Sequence, residues 1–192
     1  MILGLDISTV VIGLSVMDKK EIIHTDYFDL HKDESLTSNE VFQKIKEWFL
    51  SIKKQYDITK INVEEPIKKC SNGKTSINVI SAIFKTNYTV CWLCYDVFQI
   101  DINYVGSGPA RKKMKINKND DLKRDFKYYA STKDIKKRVL EKVLESFPDF
   151  EKELTYSKNG FINSHILDIA DAIVMANYEF KTWHTEKLFN LS

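Results

Sequence analysis

Residues 1–30 carry three strand-like runs in succession, "ILGLDIS", "VVIGLSVMD" and "KKEIIHTDYFDL", with too few residues between them for a helix. Apolar and β-branched residues at this density, broken by a turn around Asp18 to Lys20, predict an antiparallel meander of three strands. Gly13, inside the second run, marks a bulge or the close approach of another backbone. The pattern then changes. In "NEVFQKIKEWFLSIKKQY" the residues Val41, Ile45, Trp48, Phe49 and Ile52 share one helical face. A short strand, "KINVEEP", follows and ends at Pro66. The stretch "SINVISAIFKTNYTVCWLCYDVF" reads as a long helix, apolar on nearly every side and therefore covered on every side. "QIDINYVG" supplies a fifth strand.

Beyond it, "SGPARKKMKINKNDDLKRDFKYYAS" is basic and without period, which predicts a loop or insertion over about 107–131. "TKDIKKRVLEKVLESF" is an amphipathic helix with Ser131 or Thr132 as its N-cap, and "SHILDIADAIVMANYEFKTW" forms a last helix. Three strands, then alternating helices and strands, predict an α/β fold: a five-stranded mixed sheet, antiparallel then parallel, flanked by helices in one domain over 1–192.

The composition narrows the class. At 43% hydrophobic and 29% charged residues the chain has the balance of a soluble domain. No apolar run reaches the roughly 18–20 residues of a membrane span, and no signal-peptide pattern opens the chain, so the expected compartment is the cytoplasm. Three cysteines, Cys70, Cys91 and Cys94, cannot close into a disulfide framework. Cys91 and Cys94 form a CxxC, but His24, His31, His165 and His184 do not cluster with it, and its apolar setting predicts core thiols. From Pro109 to Glu145 the chain holds 13 Lys or Arg against 6 Asp or Glu, a local +7 within a net +2, so the remainder carries −5. Such a segment suits nucleic acid, or is simply a solvated face.

Carboxylates stand in three places where apolar residues are expected: Asp6 on the first strand, Glu64 with Glu65 at the end of "INVEEP", and Asp168 with Asp171 in "LDIADAIVMA". The last pair, at i and i+3, projects from one helix face. Each has an ordinary reading alone: a turn cap, an exposed strand end, two acids offsetting a helix dipole. Together they suggest a cleft whose mutual repulsion is relieved by divalent metal, and Mg²⁺ or Mn²⁺ takes oxygen ligands.

An Asp on the first strand, a Glu closing a middle strand and a closing D-x-x-D helix resemble the RuvC Holliday-junction resolvases of the ribonuclease H-like nucleases. "ILGLDIS…GLSV", "INVEEP" and "DIADAIVMA" carry the resemblance, in the family's order, over essentially the whole chain. It implies a crossover-junction endodeoxyribonuclease with about two Mg²⁺ (or Mn²⁺) ions per site, held by Asp6, Glu64, Asp168 and Asp171, with Asp6 bridging. Glu64 follows the strand's Val63 as the family's Glu does; a bulge before Pro66 would substitute Glu65. The family's assisting lysine corresponds to Lys112 by direct count. An insertion of about twenty residues would instead bring Lys133 or Lys136 into that role.

Arg111, Lys112, Lys113, Lys115, Lys118, Lys123, Arg124 and Lys136 would contact DNA phosphates, which give affinity without sequence information. Asp-Ile-Ser stands where bacterial members have Asp-Pro-Gly. Ile67 replaces the aromatic three residues after the Glu, which predicts cutting of forks and other branched DNA beside four-way junctions. Paired nicks imply two sites on a twofold axis, and the apolar helix 76–98 is the expected homodimer interface. With only three arginines among 29 basic residues, the composition fits an AT-rich genome, a phage among them. Three rivals remain: an ATP-binding fragment of the actin-like superfamily suggested by "GLDIST", a non-catalytic binder of branched DNA, and a relative that cuts RNA–DNA hybrids.

Overall fold

The structure, a computed structural model, describes residues 1–66, 76–117 and 121–178. The opening meander forms as its spacing predicts, with β1 (Ile2–Ile7), β2 (Val11–Asp18) and β3 (Glu21–Asp29) antiparallel in sequence. Helix α1 (Ser38–Gln55) starts at a capping box, Thr37 with Glu40, which satisfies two otherwise orphaned backbone donors. β4 (Lys60–Glu64), α2 (Ile77–Phe98) and β5 (Ile102–Val105) follow. β4 pairs parallel with β1, and β5 parallel with β4, giving the order β3-β2-β1-β4-β5. The mixed five-stranded sheet is therefore as expected.

The basic segment is irregular as expected past Met114, but not at its start. It opens with a short helix, α3 (Ser107–Lys113). Past that helix, buried Glu141 accepts from the backbone N–H groups of Lys123 and Arg124 and ties the segment to α4 (Asp134–Ser146). The start of α4 also differs: Lys133 is its N-cap, with no side-chain cap, one to two residues beyond Ser131 and Thr132. A turn of 3-10 helix (Pro148–Glu153) leads to α5 (Ser164–Ala176).

Alternation along β1 divides the core in two. Leu3, Leu5 and Ile7 face α1 and α2, where Ile45, Phe49, Val90, Leu93 and Cys94 close over them. The other face takes α5, with α4 packed outside it through Val139, Leu140, Val143, Ile166 and Ile173. Every residue of α5 from Ile166 to Ala176 is buried. Among the described residues no helix is long and apolar enough to cross a membrane.

Candidate functional site

Asp6 lies on the α5 side of β1, near the strand's C-terminal end. In the parallel register Leu5 faces Val63, so one residue further Asp6 stands beside Glu64, at the ends where ligands of α/β sheets collect. Two glycines then let α5 settle directly on this face. A Cβ on Gly4 would collide with the main chain of Ala172 and Ala176, and a Cβ on Gly13, the partner of Asp6 across the β1–β2 pair, with that of Asp168 and Ile169. That contact brings the i, i+3 aspartates of α5 over Asp6. Buried Asn62 fixes the helix at its other end, donating to the carbonyls of Met175 and Tyr178 at 2.9 and 2.7 Å.

The result is a group of four carboxylates, Asp168 and Asp171 buried and Asp6 and Glu64 half-buried. Burial, then the neighbouring Asp171 and Glu64, push the Asp6 carboxyl well above its usual range. Glu64 is raised by burial and by Asp171, although it shares a hydrogen bond with Asp6. Asp168 is raised by burial, against the pull of Lys136. Raised values across a cluster are the mark of excess negative charge in a low-dielectric setting.

Two cations answer part of it. Lys136 on α4 places its Nζ 2.6 Å from Asp168 Oδ1, 3.5 Å from Asp171 Oδ2 and 3.8 Å from Asp6 Oδ2. Arg111 on α3 donates from Nη2 to Asp171 Oδ1 at 3.0 Å. Burial disfavours both charged forms, but the surrounding carboxylates outweigh it and raise both groups. Asp171 Oδ2, fully buried, accepts no hydrogen bond.

The donor chemistry fits a hard divalent cation: all ligand atoms are oxygen, they come from three elements, and a buried carboxylate oxygen is left over. As arranged here the carboxylates turn toward Lys136 and Arg111. Among the described residues no three His, Cys, Asp or Glu side chains are already gathered around one centre.

The four expected acids are thus brought together, with Glu64 in electrostatic contact with Asp6 and Asp171. The backbone of Glu65 donates to the carbonyl of Val105. Of the lysines considered for the site, Lys136 enters it, whereas Lys112 and Lys133 are solvent-exposed. Arg111, expected on DNA, sits among the acids. Lys113 lies over the Tyr178 ring, Lys123 pairs with Glu145, Arg124 with Glu151, and Lys115 is exposed; Lys118 falls outside the described residues.

Sequence reasoning missed Arg111 as a partner of Asp171, and Asn62. Asparagine inside the apolar run "INVEEP" was the available signal, since a buried amide must find partners.

No protein-family model matches the chain, and no curated protein matches it. Solved structures do. Thermus thermophilus RuvC in complex with a Holliday junction substrate superposes with a TM-score of 0.58 at 14% identity, over 91% of this chain and 88% of that one. A second Thermus thermophilus RuvC structure gives 0.55 at 13%, over 91% and 90%. At such identity the likeness is one of fold, and on that evidence the chain has the fold of RuvC, the Holliday-junction resolvase.

Proposed function

We propose that this chain is a divalent-metal-dependent endonuclease that cuts branched DNA, four-way junctions first, by paired nicks. The convergence of Asp6, Glu64, Asp168 and Asp171 at the open ends of β1 and β4 carries the reading. The RuvC fold supports it, and so does the junction bound by one of its neighbours.

Mg²⁺ or Mn²⁺ held by these four side chains, two ions per site, would activate water and stabilise the leaving oxygen. The chain's own residues do the rest. Asp6, on the central strand, feels the charge of all three other acids and would hold the ions together with them. Lys136, fixed by Asp168, presents an ammonium beside the acids, where it can stabilise charge developing on a phosphate. Arg111 holds Asp171 in one orientation. The cations Lys112, Lys113 and Lys115, with Lys118, Lys123 and Arg124 further along the segment, would contact phosphates of the DNA.

Two nicks need two sites. The outer face of α2 exposes Ile77, Tyr88, Trp92 and Tyr95, and we assign it as the twofold interface. A DNA substrate and two reduced, buried thiols suit the cytoplasm.

Incubation with a labelled four-way junction, a fork and a linear duplex tests the reading. Cutting of the branched substrates in Mg²⁺ or Mn²⁺, absent in EDTA and absent for Asp6→Asn, is the expected result. Failure to cut any of them with either metal would refute it.

A further inference from the structure

The sheet has a second charged end. From Ile2 to Asp6 β1 covers about 13 Å, at about 3.3 Å per residue. Ile2 lines a cavity of about 510 Å³ that reaches Ala176 and Asn177 at the far end of α5. Lys19, Lys20, Lys113, Lys115 and Lys142 form its rim, and no described acidic residue lines it. Met17, Met114 and Phe147 supply an apolar floor. Ammonium groups around an apolar floor suit an anion that carries an apolar face.

Three of these lysines hold unusual backbone conformations. Lys19 and Lys20 form the two-residue turn between the paired Asp18 and Glu21, with φ of 45° and 73°. That is the pattern of a type I′ turn, which favours Asn-Gly. Lys115 has φ of 59°. Among the described residues four non-glycine residues have positive φ, the fourth being Gln99, so three of the four are lysines on this one cavity. Left-handed backbone gives lysine no conformational advantage. What the three positions share is that they bring their charges to one cavity.

Local structure accounts for part of the positive charge. α3, α4 and α5 all end at the cavity, and three helix C-termini amount to about one and a half negative charges. Lys142 also pairs with Glu145 at 2.9 Å. Lys113 lies over the Tyr178 ring, and Lys19, Lys20 and Lys115 are exposed.

We infer that this cavity is a second phosphate site, which holds a nucleotide of the DNA strand that leaves the carboxylate cleft. The connection is short: Arg111 reaches Asp171, and Lys113 and Lys115, two and four residues later, reach the rim. The separation of about 13 Å corresponds to about four base steps of about 3.4 Å of duplex axis. The identity of the strand rests on the nuclease reading above.

The double substitution Lys19→Asn/Lys20→Gly removes two charges and installs the pair the turn favours, so the melting temperature should hold or rise. Anisotropy of a labelled four-way junction in EDTA, titrated at several salt concentrations, reads the site. Affinity about tenfold weaker at low salt is expected. The slope of log K against log salt should be shallower by about 2, since each phosphate contact contributes about 0.9.

A variant that melts like wild type with unchanged affinity and slope overturns the inference. So does a melting temperature raised by free dTMP in wild type but not in the variant, when junction binding is the same in both. Wild-type cutting in Mg²⁺ is scored on the same preparation. Lost cutting with the binding difference present refutes the nuclease reading and supports the cavity, whereas cutting without the binding difference refutes the cavity alone.

Discussion

Helices α2 and α5 have similar sequences in one respect: each is apolar around most of its circumference. Their settings differ. α5 lies between the sheet and α4, buried from Ile166 to Ala176, and its backbone rests on Gly4 and Gly13. α2 covers the opposite face of the sheet with Val90, Leu93, Cys94 and Val97, yet leaves Trp92 63% and Ile77 83% exposed. An all-round apolar helix requires two covers, and among the described residues α2 has only one. The fully covered helix carries the buried acids, where packing can hold their geometry. The half-covered helix keeps an exposed apolar face, the one proposed above as the twofold interface.

The largest effect follows from the tighter contact. Gly13→Val should destabilise the protein by about 4 kcal/mol or more, because the new side chain meets the main chain of α5, which has nowhere to retreat. Urea denaturation measures it. A loss below about 1 kcal/mol would mean that α5 does not sit where its aspartates need it.

On α2 the same kind of intrusion should leave folding almost untouched and change assembly instead. Light scattering at micromolar concentration should give twice the 22.4 kDa chain mass for wild type and the single mass for Trp92→Glu. A wild-type monomer would leave the outer face of α2 unexplained.

The smallest effect concerns the inner face of the same helix. Burial pushes the Cys91 thiol up to about 11 and Cys94 well above its ordinary value. In a Cys70→Ala background at pH 8 both thiols should react with a disulfide reagent hundreds of times more slowly than in urea, since the thiolate is the nucleophile. Rapid labelling of the native protein would place them outside the core.

The sheet and the four acids were legible because each leaves a local mark. Strand runs without helical spacers allow only a meander, and a carboxylate in an apolar run needs a partner. Gly13 was legible for the same reason, as a residue too small for a strand interior. The cations were not. Lys112, Lys133 and Lys136 are alike in sequence, and what selects Lys136 is the packing of α4 on α5, which sets it against Asp168, 32 residues away. Arg111 was misplaced because α3 has no period that shows in seven residues. The segment after it was hidden because its anchor, Glu141, lies on a different element.

The central claim is that the four acids form a cation site strained by its own charge. Thermal melts of wild type and Asp6→Asn, in EDTA and in Mn²⁺, test it most directly. A carboxyl with a raised pKa in the folded state stabilises the fold when protonated and loses that contribution as pH rises through the folded value. At pH 7.5 in EDTA, Asp6→Asn should therefore melt above wild type. Mn²⁺ at about a hundred times its dissociation constant should raise the wild type by about 5–10 °C and the variant by little. A variant that melts below wild type in EDTA, with Mn²⁺ raising both alike, would contradict the account.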